Sequence, residues 1–289
     1  MLPYPPGGGT DIIARPLAQR LSEQWKQQVV VDNRGGANGN IGMELVAKSP
    51  PDGHTLVLAL TAQLAVNPAL YERLPYDPVR DFEPVTLLGT GPYVLLVHPS
   101  LPVKTVKELV ALARARPGQI AYGSAGNGSG AHLAAELFNG TAGVKMTHVP
   151  YKGGGPGLVD LAAGNIQLMF ATWLSSKPLV DGGRLRPLAV STARRLAGLP
   201  LPTVAESGLP GFDAGVWYAV LAPAGTPREL TQRIHGEIVR ANQHEEMKAV
   251  YARAAIEPLN GGPEDLAKFL KEELAKWARV VKAAKVQVD

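Results

Sequence analysis

The sequence contains no cysteine. Disulfides, thiolate catalysis and cysteine-ligated metals are therefore excluded together. No apolar run approaches the ~18 residues of a membrane-spanning helix. Charge of one sign does not predominate: the formal net charge is +4, and no basic run is interleaved with aromatics, which argues against a nucleic-acid partner. Nucleotide signatures are missing too, with no G-x-x-x-x-G-K-[ST] and no G-x-G-x-x-G opening a strand–helix unit. The six histidines (His54, His98, His132, His148, His235 and His244) never fall in H-x-x-x-H or H-E-x-x-H spacing, so neither a metal nor a cofactor is expected. The start of the chain shows no positively charged stretch leading into an apolar one. Only Met1 and Leu2 precede a proline–glycine loop, fewer residues than a strand needs, so the natural chain is expected to begin further upstream.

What is present is a globular composition. Hydrophobic residues make up 45% of the 289 and charged residues 19%, enough for a sizeable core and consistent with about two domains. Short apolar runs at Val29–Val31, Leu56–Leu60, Val94–Val97, Ile166–Ala171, Leu188–Val190 and Val216–Leu221 read as strands. Helix-period stretches alternate with them, and two long amphipathic helices, about Arg228–Ala241 and Pro263–Ala284, close the chain. Alternation of this kind predicts an α/β fold with parallel sheet and helices on both faces.

Two glycine loops stand out. "PYPPGGGTD" (Pro3–Asp11) precedes a stripe of Ile13, Leu17, Leu21 and Trp25 at every fourth position, with Thr10 and Asp11 as helix-cap types. "GSAGNGSGA" (Gly123–Ala131) occupies the matching place about 120 residues later. Each reads as strand end, glycine turn, helix start. Such turns can be purely topological. Two in matching positions also form a constellation that aims backbone N–H groups and helix N-termini at an anion. Neither loop contains a lysine or arginine.

These segments resemble the substrate-binding proteins of tripartite tricarboxylate transporters, the Bug or TctC family. The likeness runs through "PYPPGGGTDIIARPLAQRL", "VVVDNRGGANGNIGMELVAKSPPDGHTLVLA", "NPALYERLPYDPVRDFEPVTLLG", "GSAGNGSGAHLAAELF", "HVPYKGGGPGLVDLAAGNIQLMF" and "PTVAESGLPGFDAGVWYAVLAPAGTP", in that order over essentially the whole chain. The resemblance implies a two-lobed fold of periplasmic-binding-protein type with a ligand cleft between the lobes. Residues 1–99 plus 222–289 would form lobe one and residues 100–221 lobe two, with crossings near His98-Pro99 and Ala222-Pro223. It implies no enzyme. It implies a periplasmic monomer whose partners are a small carboxylate and the membrane components of a transporter. The ligand-binding set it suggests is Tyr4, Gly8, Gly9, Thr10, Asp11, Thr61, Gln63, Ser124, Asn127, Gly128, Ser129, His132, Tyr151 and Thr172. The carboxylate is expected on backbone N–H groups of Gly8, Gly9, Thr10, Ser124, Gly128 and Ser129.

Two features depart from the family pattern. Pro16 falls inside the first helix. After "QLMF", where several members carry an acid, this chain has Ala171 and Thr172, which argues against an amino-acid ligand. Asp11 beside an anion is expected to cap the first helix, accept from a water or meet a ligand hydroxyl. Lys152 reads as a solvated charge. Two alternatives remain at this level: a ligand sensor using the same site, and a hydrolase or isomerase using Ser124 or Ser129 with His132.

Overall fold

The computed structural model describes residues 1–6 and 9–284. The chain forms two compact units. The first comprises Met1–Thr90 and Trp217–Arg279; the second comprises Gly91–Val216 and the end of the terminal helix from Val280. The unit changes fall at the ends of strands, N-terminal to the proline-marked turns at His98-Pro99 and Ala222-Pro223.

The first unit supplies α1 (Gly9–Trp25), α2 (Asn40–Ala47), β1 (Val57–Leu60), a π-helical turn (Ala62–Val66) running into α3 (Asn67–Leu70), and β2 (Phe82–Gly91). The second unit follows with β3 (Tyr93–Val97), α4 (Val106–Ala115), β4 (Ala121–Ser124), α5 (Gly130–Ala142), β5 (Thr147–Pro150), α6 (Gly154–Ala163), β6 (Leu168–Thr172), α7 (Trp173–Asp181) and β7 (Arg186–Val190). The first unit is completed by β8 (Val216–Pro223), α8 (Arg228–Asn242), α9 (Glu245–Ala254), β9 (Glu257–Gly261) and α10 (Pro263–Ala284).

The α/β class is as expected, but the sheets are not parallel throughout. The first unit's sheet runs β1-β8-β2-β9, with β1 antiparallel to β8 and β2 antiparallel to β9. The second unit's sheet runs β5-β4-β6-β3-β7. Only its β4–β5 and β4–β6 pairs, joined through helical crossovers, are parallel; β3 is antiparallel to both β6 and β7. A strand that enters from the other unit needs no crossover helix, which is why alternation misread β3.

Val29–Val31 corrects a second expectation, because it forms no strand. Val30 is 68% exposed, and the segment's ladder reduces to one bridge between Leu2 and Asn33. Pro16 does lie within α1. The buried stripe of Ile13, Leu17 and Leu21 holds the helix in place, offsetting the roughly 3 kcal/mol that an interior proline costs. In the second unit the core is the fully buried run Val94–Val97, flanked by the ring cluster of Phe138, Phe170 and Phe212 at 6.1–6.4 Å between centroids.

Candidate functional site

In the first unit, Tyr4 and Gln63 meet as part of one polar network. The Tyr4 hydroxyl donates to Gln63 Oε1 (2.7 Å), and Gln63 Nε2 donates to the carbonyl of Asn38 (2.8 Å). Asn38 Nδ2 donates to Asn67 Oδ1 (2.8 Å), Asn67 Nδ2 to Asn40 Oδ1 (2.6 Å), and the Tyr76 hydroxyl to the Gln63 carbonyl (2.7 Å). This network fixes a turn in which Ala37, Asn38 and Gly39 all have positive φ, at 46°, 53° and 90°. Asn residues tolerate that region through short polar side chains, and glycine adopts it freely. Asn38, Asn40, Asn67 and Tyr76 were missed in the sequence. The run "GGANGN" signals a turn but not the side chains that hold it.

Thr10 and Asp11 sit in the first turn of α1, not at its cap, since the helix already includes Gly9. Gly8 lies outside the described residues. Asp11 is buried and paired with Arg15 one turn on (2.8 Å), and it accepts from Asn33 Nδ2 (3.3 Å). A first-turn carboxylate is also favoured by the helix dipole. The hydroxyl oxygen of Thr61 accepts from the backbone N–H of Trp217 (2.9 Å), tying the π-helical turn to β8.

The second unit places a loop between β4 and α5. Ser129 is the N-cap, its hydroxyl accepting from the His132 N–H (3.3 Å). Here the expected N–H cradle needs correction. The Gly128 N–H donates to His132 Nδ1 (3.0 Å), and the Ser129 N–H donates to the Gly126 carbonyl (3.1 Å). Ser124, fully buried, spends its hydroxyl within the loop: it contacts both the N–H (3.1 Å) and the carbonyl (3.0 Å) of Gly126 and lies 2.6 Å from His148 Nε2. What the loop leaves outward is Asn127, which is exposed. The opening N–H groups of α5, at Gly130 and Ala131, have no partner inside the helix by its geometry.

His148, which the sequence did not single out, stacks on His132 with centroids 3.8 Å apart and planes 6° from parallel; the Tyr122 ring covers His148 at 4.9 Å. The β4–β5 register explains this, because Tyr122 and His148 are direct partners. Burial lowers His132 to about 4, and burial together with the proximity of His132 lowers His148 to about 4. The Tyr122 hydroxyl bonds Glu136.

Around this loop, the Tyr151 hydroxyl donates to Asp160 Oδ2 (2.7 Å), and Tyr151 is half-buried beside Gly123. Lys152 is exposed. Thr172 precedes α7, and its hydroxyl bonds that of Ser175 (2.8 Å). The serine–histidine pairing needed for a hydrolase is not the expected one: Ser124 meets His148, not His132, and its oxygen is sealed in the loop. Among the described residues no group of three histidine or acidic side chains could hold a metal. An apolar pocket in the first unit, lined by Leu17, Leu21, Val31, Leu58, Ile238 and similar side chains, includes none of the candidate residues.

A family model described as "Tripartite tricarboxylate transporter family receptor" matches residues 13–286. Protein BugT of Bordetella pertussis is 38% identical over 284 residues, which are 98% of this chain and 87% of that protein. Among solved structures, R. palustris Rpa4515 with adipate is 40% identical, with a TM-score of 0.92 over 99% of this chain and 97% of that one. MatC (Rpa3494) from Rhodopseudomonas palustris with bound malate is 29% identical, with a TM-score of 0.87 over 97% of each chain. The chain therefore belongs to the tripartite tricarboxylate transporter receptor family, a family of solute-binding receptors and not of enzymes.

Proposed function

We propose that this protein is a periplasmic receptor that captures a small carboxylate and delivers it to the membrane components of a tripartite transporter. The observation that carries the reading is the match to Rpa4515 with adipate, at 40% identity over 99% of this chain. The two units are taken as the receptor's lobes, with Tyr4, Gly9, Thr10 and Gln63 in one and Asn127, Ser129 and the α5 N-terminus in the other serving the same ligand. The chemistry of the loops supports an anion held without a cation. Neither loop carries lysine or arginine, and α5 is long enough for its N-terminus to offer roughly half a positive charge. Uncharged donors bind a carboxylate tightly enough for capture while leaving no ion pair to break at release.

A thermal-shift screen of mono-, di- and tricarboxylates, adipate first, tests this. A ligand that binds only the folded state stabilises it by about 2.7 kcal/mol at a hundred times its Kd. Adipate or another dicarboxylate is expected to raise Tm. A chain that melts unchanged with every carboxylate at millimolar concentration would sink the proposal.

A further inference from the structure

We infer that the stacked His132–His148 pair is a proton-operated latch on the Gly123–Gly130 loop, closed when both rings are neutral and opened by a proton on His132. The geometry sets the protonation state of the closed form. His132 Nδ1 accepts the Gly128 N–H at 3.0 Å, so that nitrogen carries no proton. An imidazolium bears N–H at both positions, and its Nδ1–H would then face the Gly128 N–H, donor against donor. The bond that holds Gly128 would be lost.

The second ring holds the neighbouring glycine. His148 Nε2 lies 2.6 Å from Ser124 Oγ, which in turn grips the backbone of Gly126. The pair thus fixes Gly126 and Gly128, both at positive φ (125° and 72°), on either side of the exposed Asn127. Rings 3.8 Å apart and nearly parallel couple the two titrations, since a charge on one opposes a charge on the other. The groups facing the stack are few. Tyr122 of β4 covers His148, and Glu136 of α5, bonded to the Tyr122 hydroxyl, favours a proton on His148. The Tyr93 phenol of β3 lies against Gly130 at the start of α5. Burial holds both imidazoles at about 4, which keeps the latch closed at neutral pH.

The consequence for ligand capture rests on the proposed function: acid should weaken carboxylate binding beyond the ligand's own titration. The first arm of the test is ligand-free. In the ¹⁵N-labelled protein, titrated from about pH 7 toward about pH 3.5, the Gly128 amide should shift with the same midpoint as the His132 ring nitrogens. His132→Asn keeps an acceptor oxygen in place of Nδ1 but cannot titrate, so its Gly128 amide should stay flat. The second arm measures adipate Kd against pH, each protein normalised to its own neutral value so that the ligand's titration cancels. Wild type should weaken relative to His132→Asn by about twofold at the midpoint and about tenfold one unit below it. A Gly128 amide that ignores the imidazole titration would overturn the latch, as would identical pH profiles for the two proteins. If adipate binds neither protein at any pH, the ligand reading fails and the amide titration alone decides the latch. If His132→Asn does not fold, the wild-type amide titration still decides it.

Discussion

The side-chain amide of Gln63 holds the backbone of Asn38 in the left-handed region: its Nε2 donates to the Asn38 carbonyl at 2.8 Å, and Asn38 sits at φ 53°, ψ 32°. The other end of the amide accepts from the Tyr4 hydroxyl and from the Leu60 N–H (3.2 Å). Gln63→Leu removes an acceptor from two donors and a donor from the strained turn. A loss of about 1–3 kcal/mol is expected from urea unfolding, the range for leaving buried polar groups unpaired. A midpoint within error of wild type would show that the turn holds itself.

Glu273 of α10 binds two indoles. Trp217 Nε1 and Trp277 Nε1 both donate to its Oε2, at 2.8 and 2.9 Å, and both rings are almost completely buried. Glu273→Leu strands both donors and should lower stability by about 2–4 kcal/mol, whereas Glu273→Gln, which keeps an acceptor oxygen, should lose less. Intrinsic fluorescence during unfolding reports both variants. Equal losses would mean that packing, not acceptance, is what Glu273 supplies.

Gly130 has no room for a side chain because the Tyr93 hydroxyl would lie 2.3 Å from an added Cβ. Gly130→Ala should be destabilising by about 1–3 kcal/mol, as overpacking is. Adding Tyr93→Phe deletes the colliding oxygen and should restore part of that loss. A double variant no more stable than Gly130→Ala would place the conflict elsewhere.

Lys152→Ala should leave adipate affinity within about twofold, as for an exposed charge. Gly128→Val should abolish binding, because Gly128 sits at φ 72°, where a β-branched residue is strained. Titration calorimetry separates the two. A lysine change as damaging as the glycine change would mean that a cation, not an uncharged loop, holds the carboxylate.

Stability should fall as pH drops from about 6.5 toward about 4. His132 and His148 are held near 4 in the folded state by burial, while the unfolded chain takes up those protons near 6.5. The unfolded state therefore binds more protons across that window, and acid favours it, with a slope up to about 1.4 kcal/mol per pH unit for one proton. Because the unfolded chain takes up both protons in that window while the stacked pair takes up neither, the two histidines together should approach twice that slope. The difference in urea midpoint between wild type and the His132→Asn/His148→Gln double variant isolates this contribution. A difference that stays constant with pH would remove it.

The sequence showed where the chain must turn more clearly than what the turns do. Val94–Val97 was legible because a fully buried strand is a bounded apolar run. β9 was not, since "EPLNG" is exposed or half-exposed along its length and carries no pattern to read. Val29–Val31 shows the reverse error: three valines have strand propensity, but propensity counts only where a neighbouring strand is laid alongside. In the second loop the glycines were legible because Gly126 and Gly128 need positive φ. That His132 stacks on His148 depends on the β4–β5 register, which sets His148 opposite Tyr122 of the neighbouring strand, a long-range pairing that no local pattern announces.

The pairing of Val57 with Leu221 also makes the first unit's sheet discontinuous in sequence, with the whole of Gly91–Val216 spooled out between two neighbouring strands. Bringing β1 to β8 costs the closure entropy of a long loop, whereas the second unit draws every strand of its sheet from one continuous stretch. Until β8 is laid alongside, the N–H and C=O groups that Val57–Leu60 will offer it stand open to pairing with another unfolded chain. The inserted unit can thus mature as a finished guest inside an unfinished host.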